Sequence, residues 1–112
     1  MSNSPLFHLV IYVPLTHADS VRKALAESGA GKIGEYDSCS FSSAGIGRFR
    51  PLPGAKPHEG KVGSLTEVAE ERIEVVVEEE KLSAVLKAVK KAHPYEEPAI
   101  HLWRMASHKD YL

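Results

Sequence analysis

The sequence predicts an α+β protein, a ferredoxin-like split βαβ sandwich in which a four-stranded antiparallel sheet carries two helices on one face. Two observations lead to this fold class. Four segments have the character of strands, and two segments carry apolar residues at helical spacing. They follow one another in the order β-α-β-β-α-β along a chain of 112 residues, a length typical of one domain.

The first half of the chain contains two predicted strands and one predicted helix. Leu6–Val13 alternates in polarity and ends at Pro14, which is typical of a half-buried strand. Thr16 with Asp19 resembles a capping box, so a helix is expected to begin there. Ser38–Ala44, a run of small residues around the only cysteine, is a second strand candidate.

The second half of the chain repeats this order with stronger patterns. Val68–Val77 alternates cleanly, and its charged face, which includes Glu70, is expected to meet water or another subunit. Glu80–His93 has an apolar stripe at helical spacing, and Pro94 prevents the helix from continuing. Ile100–Met105 is the last predicted strand.

Residues 45–64 differ from the rest of the chain because they hold five glycines and three prolines. This density is incompatible with a helix or a central strand. We therefore predict a long loop or an extended arm within a single domain that spans residues 1–112. Long loops in compact domains are usually functional.

Composition limits the classes of partner. The formal net charge is −1, whereas a nucleic-acid-binding domain usually has a strong basic excess, so no nucleic acid is expected. Cys39 is the only cysteine, which excludes an intramolecular disulfide and fits a reducing compartment. The N-terminal segment has no basic region typical of a signal peptide, and no apolar run is long enough for a membrane. We expect a cytoplasmic protein.

Three stretches of the sequence form a specific combination. They are GKIGEYDSCSFSSAGIGRFRP from Gly31, PGAKPHEGKVGSLTEVAEERIE from Pro53, and AHPYEEPAI from Ala92. Together they cover most of residues 31–103, and they resemble the PII/CutA-like domain inserted in the NIF-three-like (YqfO) family, here expected to stand alone. The HPYE-P segment is also similar to one in CutA proteins, which supports the same fold.

The resemblance implies a ferredoxin-like subunit that assembles as a trimer. It does not imply a catalytic activity, because the two-metal site of full-length members belongs to their main domain. A chain of 112 residues leaves no room for that domain. Metal-dependent hydrolase activity is therefore not carried over from whole-length relatives.

The HPYEE segment has three interpretations. In the first, His93 and Glu97, with Cys39 from a neighbouring strand, bind a divalent metal, since imidazole and thiolate suit zinc or copper. In the second, His93 and Glu97 perform acid–base catalysis in a metal-dependent hydrolase. In the third, His93 ends a helix, where a cation stabilises the C-terminus by about 0.3–1 kcal/mol, and Glu96 and Glu97 are solvated.

The Gly/Pro-rich segment has two interpretations. Gly45, Gly47 and Gly54 allow close backbone approach, and Arg48 and Arg50 add positive charge, so the segment could hold a phosphate or carboxylate as a small-molecule anion. Alternatively, the glycines and prolines shape an arm that packs on a neighbouring subunit or recognises a protein partner.

Together these observations favour a non-catalytic, trimeric protein with a sensing or regulatory role. We expect it to bind a small ligand or a divalent metal at the interfaces between subunits. Two alternatives remain at this stage, a metal-dependent hydrolase that uses His93 and Glu97, and a structural module whose only role is assembly or protein interaction.

Overall fold

The elements of the fold follow the predicted order. A computed structural model describes residues 5–112, so the first four residues of the segment in which we expect no signal peptide lie outside the described part. The elements are β1 (Leu6–Pro14), α1 (Leu15–Glu27), β2 (Phe41–Phe49), β3 (Thr66–Glu78), α2 (Glu79–Ala92), β4 (Ile100–Met105) and a 3₁₀ turn (His108–Tyr111). No helix among these residues is long and apolar enough to cross a membrane.

The four strands form one antiparallel sheet in the order β2-β3-β1-β4. The central pair is in a register that places Leu9 opposite Val75 and Ile11 opposite Ile73. These side chains share one core with buried residues of both helices, such as Val85 of α2. The predicted α+β, ferredoxin-like fold with both helices on one face is therefore confirmed.

The core explains why the alternating and helical patterns are compatible. Leu9, Ile11, Ile73, Val85 and Val89 are fully buried between the sheet and the helices. Burying a side chain of this size stabilises the folded state by roughly 1.5–3 kcal/mol. No helix within residues 5–112 packs on the opposite face of the sheet, and the candidate site lies there.

The boundary between β2 and the loop differs from the prediction. We expected a strand over residues 38–44 and a loop over residues 45–64, whereas β2 runs from Phe41 to Phe49 and the loop covers residues 50–65. β2 is an edge strand that pairs only with β3, and glycines such as Gly45 and Gly47 are tolerated there. Counting glycines therefore misplaced the start of the loop.

The start of α1 also differs from the prediction. The helix begins at Leu15, directly after Pro14, and no side chain caps its N-terminus. The Thr16 hydroxyl contacts Nδ1 of His17 at 2.8 Å, and the Asp19 carboxylate accepts a hydrogen bond from Arg22. The predicted capping box is wrong because Pro14 ends the strand and starts the helix without a linker.

Candidate functional site

A concave cleft of about 420 Å³ lies at one end of the sheet, on the face without helices. Its walls come from the strand ends, the loop 50–65 and the connection between α2 and β4. They include Gly47, Phe49, His58, Glu70, Tyr95 and Glu97. The Gly/Pro-rich segment and the HPYEE segment, which the sequence presents as two candidate sites, thus line a single cleft whose volume suits a small molecule.

Pro94 directs the chain from α2 into the cleft. A residue before proline is disfavoured in the helical conformation, and His93 is accordingly extended, with φ −81° and ψ 134°. Its N–H still closes the last helical turn by donating to the carbonyl of Val89 at 2.9 Å. The following residues cross the end of the sheet, where the Tyr12 N–H donates to the carbonyl of Ala99.

The His93 side chain is buried and has both ring nitrogens in use. Nε2 lies 2.7 Å from the carbonyl oxygen of Tyr12, which can only accept, so Nε2 carries the proton. Nδ1 accepts from the N–H of Tyr95 at 3.2 Å. Burial lowers the pKa of His93, although the bond to Tyr12 opposes this shift. His93 is therefore a neutral structural group that fastens the connection to β1.

Tyr95 occupies the centre of the cleft wall. Its hydroxyl donates to Oε2 of Glu70 at 3.0 Å, and its ring lies 5.8 Å from that of Phe49 and 6.2 Å from that of His58. Burial raises the pKa of Tyr95, and the hydrogen bond to the Glu70 carboxylate and its negative charge raise it further. The hydroxyl is therefore a firm donor at neutral pH.

Two contacts shape the cleft from the side of β2 and the loop. A Cβ atom at Gly47 would collide with the Glu70 carboxylate, so glycine leaves the space that this side chain needs. The backbone N–H of Lys56 donates to Oε1 of Glu96 at 2.8 Å. The loop is thereby bonded directly to the HPYEE segment, which closes the far side of the cleft.

The residues predicted to bind an anion are only partly at the cleft. Gly47 and Arg48 line it, and Gly45 lines a neighbouring groove along β2. Arg50 and Gly54 are outside both sets of lining residues. The Arg48 guanidinium donates to Glu67 at 2.7 Å, so its charge is already paired.

The residues predicted to bind a metal are not brought together within one chain. His93 bonds to the carbonyl of Tyr12. The N–H of Cys39 donates to the carbonyl of Gly31, and the N–H of Gly31 donates to the β3 residue that pairs with His8. Tyr12 and His8 are four residues apart in β1, which is roughly 13 Å. Glu97 lines the cleft, yet residues 5–112 contain no group of three or more histidine, cysteine, aspartate or glutamate side chains able to hold a metal ion.

Sequence reasoning missed the residues at the centre of the cleft. We expected the charged face that includes Glu70 to meet water or another subunit, whereas within one chain the exposed fraction of Glu70 is already 9%. Tyr95 and Phe49 were not selected as site residues. The available signal was Gly47, because a glycine within a strand often marks the close approach of another group.

This chain is similar to one segment of longer known proteins. It is 47% identical over 107 residues to the "GTP cyclohydrolase 1 type 2 homolog" of Halalkalibacterium halodurans, an alignment that includes 96% of this chain. The chain spans only 29% of the length of that relative. No family model matches the chain.

Solved structures also include similar domains, one of them within a longer protein. A Bacillus cereus protein related to NIF3 superimposes with a TM-score of 0.82 at 40% identity, covering 96% of this chain and 27% of that protein. The "Periplasmic divalent cation tolerance protein CutA" of Archaeoglobus fulgidus superimposes with a TM-score of 0.66 at 21% identity, covering 96% of this chain and 91% of that one. The predicted resemblance is confirmed: the chain is homologous to one segment of the NIF-three-like proteins and has the CutA-like form of the ferredoxin-like fold.

Proposed function

We propose that this protein is a non-catalytic binding protein with a sensing or regulatory role, and that each subunit takes a small ligand into the cleft around Tyr95. The observation that supports this most is the meeting of the Gly/Pro-rich loop and the HPYEE segment at one cavity. Because the backbone N–H of Lys56 donates to the Glu96 carboxylate, a ligand that displaces one of these segments is expected to displace the other as well.

The alternative of a metal-dependent hydrolase has less support. It requires His93 as a base or a metal ligand, and both nitrogens of His93 are hydrogen-bonded to backbone groups. Cys39 lies outside the cleft and cannot act as a nucleophile there. The activity implied by the name of the whole-length relatives is not carried over, because this chain corresponds to 29% of such a protein.

We also propose that the protein acts as a homo-oligomer, most simply a trimer, in the cytoplasm. Phe41 and Trp103 lie on the sheet face without helices and are 67% and 47% exposed. Apolar side chains on an uncovered face, together with the free edges of β2 and β4, favour contact with further copies. A closed ring would cover all of them.

A divalent metal ion such as zinc or copper is a second candidate ligand of the assembled protein. It is supported by the similar fold of CutA proteins named for divalent cation tolerance. Because residues 5–112 of one chain hold no metal-binding cluster, the ligands would have to come from more than one copy.

The test is a fragment screen by two-dimensional amide NMR on the intact protein, combined with native mass spectrometry before and after chelation. We expect an oligomer and compounds that shift the amide signals of Gly47 and Tyr95 together. A Gly47→Ala variant should lose these shifts, whereas Gly45→Ala, where a Cβ meets open space, should keep them. An oligomer in which no fragment shifts the cleft signals would support a purely structural module instead.

A further inference from the structure

Glu70 is a buried carboxylate in the cleft, and its charge has no ion-paired cationic partner among the described residues. Its exposed fraction is 9%, and its hydrogen-bond partner is the neutral hydroxyl of Tyr95 at 3.0 Å. Within residues 5–112, no lysine, arginine or histidine nitrogen forms an ion pair with it. Buried charges in proteins are normally paired, because removing a charge from water is costly.

Most basic groups near Glu70 already have other hydrogen-bond or ion-pair partners. Arg48 pairs with Glu67. Arg72, the next residue on the same face of β3, donates to the hydroxyl of Tyr12 and lies 3.6 Å from Glu74. His93 is neutral, since its Nδ1 accepts a hydrogen bond from a backbone N–H. His58 also lines the cleft, with its ring 6.2 Å from that of Tyr95, but it forms no ion pair with Glu70. The described part of the cleft therefore holds no ion-paired counter-ion for Glu70.

The remaining walls of the cleft suit a positive charge on an apolar body. Four glutamates line it, namely residues 59, 70, 96 and 97, against one histidine, His58, and one arginine that is already paired. Phe49 and Tyr95 provide adjacent aromatic rings 5.8 Å apart, and the electron-rich faces of such rings attract cations. A bare metal ion fits less well, because residues 5–112 contain no cluster of three metal-binding side chains.

We propose that the cleft binds a small organic cation, a compound with an amidinium, guanidinium or ammonium group on an apolar body. Glu70 is its counter-ion, and Phe49 and Tyr95 hold the apolar part. This assignment rests on the proposed function of the cleft and replaces the anion expected from the arginines of the loop. Glycine at position 47 is then needed to keep the carboxylate in place.

A charge series of equal shape tests the proposal. Benzamidine, benzamide and benzoate are planar molecules of nearly the same size that carry positive, zero and negative charge. Each is titrated into the intact protein while the amide signals of Gly47 and Tyr95 are followed by NMR. We expect benzamidine to bind about tenfold or more tightly than benzamide, as is typical for a charge-assisted hydrogen bond, and benzoate to bind most weakly.

Two variants identify the group responsible. Glu70→Gln keeps the shape and the bond to Tyr95 and removes the charge, so benzamidine should lose about tenfold in affinity while benzamide is unchanged. Glu74→Gln is the matched control, because Glu74 lies on the same face of the same strand outside the cleft. It should leave all three affinities unchanged.

The outcomes separate this inference from the proposed function. Benzamide or benzoate binding at the cleft as tightly as benzamidine would overturn the cation assignment and leave the ligand-binding function standing. Failure of all three compounds to shift the cleft signals, even in the untouched protein, would overturn the cation assignment; failure of the wider fragment screen would overturn the binding function as well.

A basic side chain from a second copy of the chain would offer the same chemistry as a free cation. Native mass spectrometry with benzamidine distinguishes the two sources. One benzamidine per subunit on an oligomer of unchanged size supports a free ligand. Release of subunits as benzamidine binds would show that the natural occupant is a protein side chain and would overturn the small-molecule assignment.

Discussion

Glu70 and Glu74 are identical residues on the same face of β3, yet their surroundings differ. Glu74 lies 2.9 Å from His8 and 3.6 Å from Arg72, so two basic side chains are available to its charge. Among residues 5–112, Glu70 bonds only to the hydroxyl of Tyr95, although it is the more buried of the two. The difference indicates that one carboxylate stabilises the sheet surface, whereas the other is available to a ligand.

The largest loss of stability is expected when the Glu70 side chain is displaced from its position. In Gly47→Ala the new methyl group occupies the place of the carboxylate and forces it away from Tyr95. We expect the free energy of unfolding to fall by about 2 kcal/mol relative to Gly45→Ala, which adds the same methyl group in open space. Urea unfolding measures both. Equal stability of the two variants would contradict the close packing of Glu70.

Removing the hydrogen-bond donor of Glu70 should have a smaller effect. Tyr95→Phe keeps the aromatic wall and leaves the carboxylate without its donor, so the free energy of unfolding should fall by about 1 kcal/mol. Tyr36→Phe is the control, because that side chain is largely exposed. A Tyr95→Phe variant as stable as its control would show that the hydrogen bond is not maintained in solution.

The pH dependence of stability tests the neutrality of His93. Its pKa is lowered by burial, so the unfolded chain binds more protons than the folded one below about pH 6.5. The contribution of His93 is therefore complete above that pH and is lost as the pH falls through the folded pKa. Urea unfolding at one protein concentration should show this loss in the unmodified protein and a smaller loss in His93→Gln. His108→Gln should behave as the unmodified protein, and an unchanged profile in His93→Gln would contradict the assignment.

The smallest loss of stability is expected at Glu74, the carboxylate that has basic partners. Glu74→Gln removes partly exposed contacts with Arg72 and His8, which are together worth about 0.5 kcal/mol and are screened by salt. The difference in unfolding free energy between this variant and the unmodified protein should shrink at high salt. A large, salt-independent loss would mean that Glu74 is as buried as Glu70 and depends as strongly on its hydrogen-bond partners.

Most of the fold was predictable because local patterns carry it. The alternation of β1 and β3 and the apolar stripe of α2 reflect burial on one face, and the predicted bounds of β4 agree with the structure. The predicted strand ended at residue 44, whereas β2 continues to Phe49, because glycine counts do not reveal that a strand is at an edge. Its true extent depends on pairing with β3, which is a non-local property.

The candidate site was predictable only in pieces. The sequence identified His93, Glu97, Gly47 and Arg48, yet it assigned them to two separate sites. It also gave His93 a metal-binding interpretation, because a sequence with an imidazole next to carboxylates does not show whether the ring nitrogens are already hydrogen-bonded. The backbone contacts of His93 with Tyr12 and Tyr95 depend on how the connection crosses the sheet.

The sequence by itself determined the order of the elements, the buried face of the sheet and the rigid turn at Pro94, since periodicity and proline geometry act between neighbouring residues. Only the tertiary structure decided that the loop 50–65 covers the HPYEE segment and that Glu70 lies buried beneath Tyr95. These contacts join residues 40 and 25 positions apart in the chain. Whether a carboxylate is solvated or enclosed depends on what folds over it, and no local pattern carries that information.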